Sequence, residues 1–359
     1  MKPEDVARHA RTAVPLRTGA PWQRALARVV LAAVLVLPLW ELGLRRLCFA
    51  PMEVVPGLGS ILAPGVEIRW AIEGDGASQW NAAGVRGAAM PDPQAPSVLV
   101  RGDSFTEALQ LDDDDTFPVV LAAGLRAAGL PLPVLNAGAS GQSLPDYLER
   151  AASDRERFRV AWTVVQVRDD DLERAAWDES RTHFARAADG SLRLEPVAPP
   201  PPARIGALLR PLTNRSALFG YGRMRALEFA RAARAEPPLF SATAARAAPA
   251  PRRDYPIEDE VSLLNAAWQG RVTVLYLAVF DPERPREPAS DTERRLFAAC
   301  AAQGGSCVNL RESFPEFAAR WEAPYGFANS NWNTGHMNAA GHRAAGALLA
   351  RELVKTLAP

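Results

Sequence analysis

The fold of this chain is decided by the stretch Ser97–Glu107, which runs SVLVRGDSFTE. Ser97–Arg101 is a short apolar run that predicts a buried strand, and Gly102 and Asp103 then predict a tight turn. Ser104 therefore stands directly beyond the carboxyl end of a buried strand. In an open α/β sheet this edge is where binding and catalytic sites form. A serine in this place is a candidate nucleophile.

Four further apolar runs predict strands, and helical stretches lie between them. The predicted strands are Pro133–Asn136, Arg159–Val167, Arg271–Phe280 and Ser306–Leu310. Buried strands that alternate with amphipathic helices predict an α/β domain whose parallel sheet is covered on both faces. About a hundred residues separate the third strand from the fourth, far more than one crossover needs. We therefore predict an insertion at about 180–256, serving as a lid or a surface appendage.

Composition limits the classes of function. The chain has 359 residues, of which 48% are hydrophobic, so a sizeable core is expected. Its 41 basic residues balance its 41 acidic ones, which argues against nucleic acid as a partner. With three cysteines, four histidines and no C-x-x-C pair, a structural zinc site is not expected, and no metal or organic cofactor is implied. Cys300 and Cys307 form either a local disulfide or two buried thiols.

The N-terminal region predicts where the protein works. Leu26–Leu44 is apolar apart from Arg28 and Glu41 near its ends, and its length approaches the roughly 20 residues that cross a bilayer. Basic residues are concentrated before it, at Lys2, Arg8, Arg11, Arg17, Arg24 and Arg28, whereas Arg45 and Arg46 follow it closely. The positive-inside rule places the N-terminus in the cytoplasm and the chain after about residue 50 outside.

This interpretation divides the chain into four parts. Residues 1–25 are a cytoplasmic segment, 26–44 a transmembrane signal-anchor helix, 45–95 a loop-rich linker, and 96–359 the α/β domain with its insertion. Two alternatives compete with the anchor. A cleaved signal peptide needs a small-x-small site, and Leu44–Ala50 (LRRLCFA) offers a poor one. The apolar run could also be a buried helix of a soluble domain.

A serine is a weak nucleophile unless a base lies within hydrogen-bonding reach. The candidates are His336 and His342 in Asn333–His342, which runs NTGHMNAAGH. His336 lies in the loop before the last predicted helix, Asn338–Leu357, so it can be placed over the sheet. His342 lies inside that helix and is predicted to be a packing or capping residue.

Three stretches together resemble a known family. Val98–Glu107 (VLVRGDSFTE) resembles block I of the SGNH/GDSL hydrolases, Asn136–Ser143 (NAGASGQS) is similar to block II, and Gly335–His342 (GHMNAAGH) resembles the histidine-containing block V. The nearest resemblance is to the membrane-anchored bacterial branch that bears GDSFTE. Some of its members deacylate esters, and others transfer acetyl groups onto exported polysaccharides. The resemblance implies a three-layer α/β/α, flavodoxin-like fold.

The resemblance also implies roles for particular residues. Ser104 would be the nucleophile, His336 the base, and the backbone N–H groups of Ser104 and Gly141 the oxyanion donors. Two positions depart from the family pattern. Asp169 occupies the place of an asparagine that supplies a third oxyanion donor, and Asn333 occupies the place of the aspartate that assists the histidine. Asparagine can orient an imidazole but cannot stabilise an imidazolium by charge.

The sequence therefore favours a membrane-anchored, extracytoplasmic serine esterase or O-acyltransferase. Its expected substrates are acyl esters, such as O-acetyl groups, on cell-envelope or exported glycans. The expected partners are the cytoplasmic membrane, through one helix, and a membrane protein that donates acyl groups. The alternative, supported by Asp169 and Asn333, is a catalytically weak or inactive SGNH-fold protein that binds glycan or scaffolds an envelope complex.

Overall fold

The computed structural model describes residues 21–47, 49–55, 59–90, 92–174, 182–196, 212, 215–233, 256–288 and 290–358. Its helices are α1 (Pro21–Leu47), α2 (Ser104–Glu107), α3 (Phe117–Ala127), α4 (Leu144–Arg157), α5 (Asp169–Arg174), α6 (Ala217–Ala233), α7 (Ile257–Ala267), α8 (Asp291–Ala302), α9 (Phe314–Arg320) and α10 (Ala339–Leu357). Its strands are β1 (Met52–Val55), β2 (Gly59–Leu62), β3 (Glu67–Trp70), β4 (Gly76–Gln79), β5 (Ser97–Arg101), β6 (Val134–Asn136), β7 (Val160–Val167), β8 (Thr182–Arg186), β9 (Leu192–Pro196), β10 (Val272–Tyr276) and β11 (Ser306–Asn309).

The central sheet has five parallel strands in the order β11-β10-β7-β5-β6. Counted along the chain, this is the 2-1-3-4-5 order of flavodoxin-like folds. Every residue of β5 and of β10 is buried, because helices cover both faces. α3 packs with α10, and α4 and α8 pack with α7. The predicted three-layer α/β/α class is confirmed.

The fourth strand is shorter than predicted. It ends at Tyr276, whereas the apolar run continues to Phe280. Leu277, Ala278 and Phe280 are nevertheless buried. A short apolar run predicts that its residues are buried, but it does not show whether they lie in a strand or in a packed loop.

α1 is a 27-residue helix with mean hydropathy 2.0 in its most apolar window, and no part of that window is buried against the domain. The third interpretation of this run, a core helix of a soluble domain, is therefore wrong. The last turns of α1 contact the domain. Leu44 is buried there, and the Leu47 carbonyl accepts a hydrogen bond of 2.8 Å from Ala71 N.

The segment 45–95, predicted as a loop-rich linker, contains two antiparallel hairpins, β1–β2 and β3–β4. Its apolar side chains form a second small core with Leu109, whose members are Leu62, Ile68 and Trp80. Two acids of the Asp112–Asp115 run hold β4, since Asp112 accepts from Ala77 N and Asp113 from Gln79 N. Four-residue strands are too short to show a periodic pattern, so sequence reasoning did not find them.

The described parts of the insertion pack onto the rest of the chain. Phe184 and Leu192 of the β8–β9 hairpin are buried in the main core, and Thr182 donates a hydrogen bond of 2.9 Å to Glu149 of α4. The other described part is α6, whose first turn meets Glu41 of α1. Apart from residues 212, 215, 216 and 256, the remainder of 180–256 lies outside the described residues. Cys300 and Cys307 are joined by a disulfide.

Candidate active site

Ser104 is the first residue of α2, immediately beyond β5. The turn before it is fixed by side chains. Asp103 accepts a hydrogen bond from Phe105 N, which caps the short helix. Gln166 of the neighbouring strand β7 accepts from both Asp103 N and the Thr106 hydroxyl. Ser104 thus lies at the carboxyl edge of the sheet, as the apolar run before it predicts.

His336 lies in the loop before α10 and brings its Nε2 to 2.9 Å from the Ser104 Oγ. The loop is held because Asn338 caps α10, accepting from Ala340 N and Gly341 N. His342 is a separate case. Its Nδ1 accepts from Phe117 N, and burial lowers its pKa to about 3, so it is a neutral packing residue.

Glu73 provides the carboxylate that completes this arrangement. It lies on the turn between β3 and β4, where its Oε2 is 2.5 Å from His336 Nδ1 and its Oε1 accepts from His336 N at 2.9 Å. Burial opposes ionisation of Glu73, but the hydrogen bonds and the charge of His336 outweigh burial and hold its pKa below the ordinary value. Ser104, His336 and Glu73 therefore form a serine–histidine–carboxylate chain.

The Glu73 turn fits closely against the histidine loop. Asn329 accepts from Gly74 N and donates to Gly74 O, both at 2.8 Å. At Gly335, which has φ +77°, an added Cβ would lie 2.0 Å from Glu73 Oε1. Position 335 therefore requires glycine both for its left-handed backbone and for the approach of the carboxylate.

The role predicted for Asn333 is wrong in this structure, because Glu73 holds the imidazole instead. Asn333 has φ +55°, a left-handed conformation that asparagine tolerates better than most residues. Its Nδ2 donates to the Phe280 carbonyl at 3.0 Å. Sequence reasoning missed Glu73 because it precedes His336 by 263 residues and carries no local motif.

The two predicted backbone oxyanion donors lie on neighbouring loops. Ala139 N donates to the Gly102 carbonyl at 2.9 Å, which brings the loop after β6 beside the Ser104 turn. Gly141 in that loop has φ +78°, and the place where its Cβ would stand is open space. A glycine here leaves room for a substrate to approach the backbone.

Asp169, predicted at the position of a third oxyanion donor, is engaged elsewhere. Its Oδ1 accepts from the Tyr276 hydroxyl at 2.5 Å and from Ser290 Oγ at 3.0 Å. The carboxylate therefore links α5 to β10 and to the start of α8. The prediction of an oxyanion role for Asp169 is corrected accordingly.

Arg168, the residue before Asp169, provides a positive charge close to the nucleophile. Its guanidinium carbon lies 4.2 Å from the centroid of the Phe105 ring, and the same ring is 4.9 Å from the His336 ring. Burial opposes the charge of Arg168, but the nearby Asp170, Tyr325 and Asp103 outweigh it and raise its pKa. Arg168 therefore lies against Phe105, the residue that follows the nucleophile.

Glu107 connects the block I and block II stretches. It is buried and accepts a hydrogen bond from the Ser140 hydroxyl, next to Gly141. Burial raises the pKa of Glu107 to about 7. A second link joins the same stretches, because Asn136 Nδ2 donates to the Thr106 carbonyl at 2.8 Å.

This arrangement can perform acyl transfer through a covalent serine intermediate. It has a nucleophile, a base within reach, a carboxylate that orients the base, and backbone N–H groups beside an open space. Within the described ranges, no group of three or more histidine, cysteine, aspartate or glutamate side chains is arranged to hold a metal ion.

Comparison with solved structures finds chains of similar fold. An α/β hydrolase from the metagenome of Lake Arreo, LAE5, is 16% identical, with 71% of this chain and 97% of that chain covered and a TM-score of 0.37. A catalytic mutant of Axe2, an acetylxylan esterase from Geobacillus stearothermophilus, is 14% identical over 74% of this chain and 96% of that chain, with a TM-score of 0.38.

A lipolytic protein of the G-D-S-L family from Desulfitobacterium hafniense is 10% identical, covering 71% of this chain and 98% of that chain, with a TM-score of 0.33. No protein-family model matches the chain, and no curated protein matches it.

Proposed function

We propose that this protein is a membrane-anchored, extracytoplasmic serine esterase or O-acyltransferase of the SGNH type, acting on acyl esters of cell-envelope or exported glycans. The observation that carries the proposal is the hydrogen-bonded chain from Ser104 through His336 to Glu73. The glycan ester and a membrane protein as acyl donor rest on the resemblance of GDSFTE to the membrane-anchored branch.

The mechanism has two half-reactions. Ser104 Oγ attacks the ester carbonyl while His336 Nε2 takes its proton, and the N–H groups of Ser104 and Gly141 hold the resulting oxyanion. The C–O bond to the alcohol then breaks, and the alcohol leaves with the proton from Nε2. Water or a sugar hydroxyl then attacks the acyl-serine and gives its proton to His336 Nε2. The acyl–Ser104 bond breaks as Nε2 returns this proton to the Ser104 Oγ, which restores the starting state.

Glu73 acts in both half-reactions. It accepts the Nδ1–H of His336, fixes the tautomer that leaves Nε2 free to take a proton, and stabilises the imidazolium by charge. The alternative of an inactive glycan-binding or scaffolding protein rested on Asn333 and Asp169. Glu73 supplies the carboxylate whose absence at position 333 had supported that alternative.

The contacts at the end of α1 support a retained anchor over a cleaved signal peptide. The Glu41 carboxylate accepts hydrogen bonds from Ser216 Oγ, Ala217 N and Leu218 N. Cleavage after α1 would remove this cap of α6 together with the buried Leu44. The charge asymmetry around α1 supports the proposed extracytoplasmic location of the domain.

Labelling with a fluorophosphonate probe tests the nucleophile. We expect the full chain, purified in detergent, to be labelled and Ser104→Ala to be unlabelled. Labelling that is absent, or that survives in Ser104→Ala, contradicts the proposal.

An aryl-acetate assay with and without an oligosaccharide acceptor then separates hydrolysis from transfer, because transfer produces an acylated sugar. A reporter active only outside the cytoplasm, fused after Pro359, tests the location.

A further inference from the structure

The edge of the domain that carries the catalytic residues is hydrogen-bonded to the C-terminal end of α1, at Leu47. Ala71 N donates to the Leu47 carbonyl at 2.8 Å, and Ala71 precedes Glu73 by two residues. The path from the Leu47 carbonyl along this turn and through His336 to the Ser104 Oγ is at most about 25 Å. The active site would therefore lie within about 25 Å of the level that Leu47 takes in a bilayer.

The tryptophans of α1 indicate its depth. Trp22 and Trp40 are both exposed and lie about 27 Å apart along the helix axis. That spacing approaches the roughly 30 Å of the hydrocarbon core, and tryptophan favours its two interfaces. Leu47 then lies about 10 Å beyond Trp40, at the outer limit of the headgroups. Ala71, bonded to Leu47, is at the same level.

A second contact holds α6 against α1 near the level of Trp40. Glu41, adjacent to Trp40, caps the first turn of α6 through Ala217 N and Leu218 N. This turn is therefore held at the interface itself, and the neighbouring Phe219 is 50% exposed. Two contacts with α1 thus lie about 9 Å apart along its axis, that of Glu41 with α6 and that of Leu47 with Ala71.

Apolar side chains are exposed around the same edge. Ile72, which precedes Glu73, is 48% exposed, Trp332 is 57% exposed and Trp321 is 88% exposed. The two tryptophans border an open pocket of about 590 Å³, whose lining also includes Tyr325 and Phe327. Exposed aromatic side chains that border a pocket mark interaction surfaces.

The aromatic pocket is joined to the Glu73 turn. Asn329 lies between Phe327 and Trp332 in the chain and forms both hydrogen bonds to Gly74. Its Nδ2 also lies 3.4 Å from the Ala71 carbonyl. The loop that carries Trp332 is therefore hydrogen-bonded to the turn that contains Ala71, and Ala71 is hydrogen-bonded to Leu47.

We propose that Ile72, Trp321, Trp332 and the pocket between the tryptophans form a surface that contacts the outer leaflet of the bilayer, so that Ser104 takes its acyl ester at the membrane. The inference rests on the proposed anchor and names where the substrate of the proposed function is met. The tryptophans favour this partner because an indole combines an apolar body with one N–H donor, which suits the headgroup region.

Depth-dependent quenching tests the surface without relying on activity. The full chain with Cys48→Ser is placed in lipid nanodiscs, and single cysteines carry an environment-sensitive fluorophore. Ala328→Cys, on the exposed rim of the pocket, keeps all three apolar side chains. Lys355→Cys is the control, because it is exposed and lies about 24 Å along α10 from Ala339, which lines the pocket.

We expect nitroxide groups on lipid headgroups to quench the label at position 328 several-fold more than the label at 355. Equal quenching at the two positions overturns the proposal. So does a label at 328 that stays accessible to aqueous iodide and is shielded by oligosaccharide, which would make the pocket a glycan site. Fluorophosphonate labelling of the same samples shows separately whether Ser104 is reactive, so the two proposals can fail independently.

Two substitutions add a functional readout. Trp321→Ser with Trp332→Ser removes the exposed rings and touches none of the catalytic residues. We expect the KM for an ester presented in vesicles to rise about tenfold, while kcat/KM for a water-soluble aryl acetate stays unchanged. A parallel loss on both substrates contradicts a membrane-contacting role.

Discussion

At the scale of single residues, the site depends on Glu73, because this carboxylate binds both Nδ1 and N of His336. We expect Glu73→Gln to lower kcat for aryl-acetate hydrolysis by about 10³–10⁴, as the equivalent change does in a serine-protease triad. Asn333→Ala is the matched control and should change kcat less than about threefold, since Asn333 contacts the Phe280 carbonyl. Equal losses in the two variants would show that the acid has been misassigned.

Glu107 should make stability depend on pH. Its pKa is raised by burial from 4.5 to about 7, so the folded chain binds this proton more tightly than the unfolded chain. Glu107 therefore stabilises the fold fully below about pH 4.5, and this contribution, about 3 kcal/mol, is lost as the pH rises through 7. His342, whose pKa is lowered to about 3, changes the stability with pH in the opposite direction.

Thermal unfolding at pH 5 and pH 8 checks this prediction. Glu107→Gln keeps an acceptor for the Ser140 hydroxyl and cannot titrate in this range. Relative to the parent chain, we expect the variant to gain stability on going from pH 5 to pH 8. A difference between the two proteins that does not change with pH would show that Glu107 is ionised throughout.

At the scale of elements, the β3–β4 hairpin acts as part of the active site. Asn329 holds its turn by two hydrogen bonds to Gly74. We expect Asn329→Ala to lower kcat about tenfold with little change in KM, because a loosened carboxylate still reaches His336 part of the time. The effect should be smaller than that of Glu73→Gln. A change confined to KM would indicate that the loop acts on substrate binding instead.

The same hairpin shows what sequence reasoning could and could not recover. The five sheet strands were predictable because each is a buried apolar run beside turn residues, and Ser104 and His336 were predictable from their places beyond β5 and before α10. The hairpin has four-residue strands, and the contact of Glu73 with His336 spans 263 residues. Such a contact is set by packing, which no local pattern records.

At the scale of the whole molecule, the end of α1 is part of the folded domain. A chain that begins at residue 41 keeps Glu41, Leu44 and Leu47, whereas a chain that begins at residue 50 loses them. We expect the shorter chain to unfold several degrees lower, since it lacks one buried leucine and the cap of α6. It should also hydrolyse aryl acetates more slowly, because Ala71 loses its bond beside Glu73. Identical behaviour of the two chains would show that α1 is only a tether.

The position of Glu73 also has a consequence for biosynthesis. Along the chain the acid comes first, the nucleophile second and the base last, in the loop that leads into the final helix. In the exported protein that we propose, a nascent chain emerging from the export machinery would carry Glu73 and Ser104 long before His336 is available to join them. The protein would have no esterase activity until its C-terminal segment has crossed and docked, so ester cleavage would report that translocation is complete.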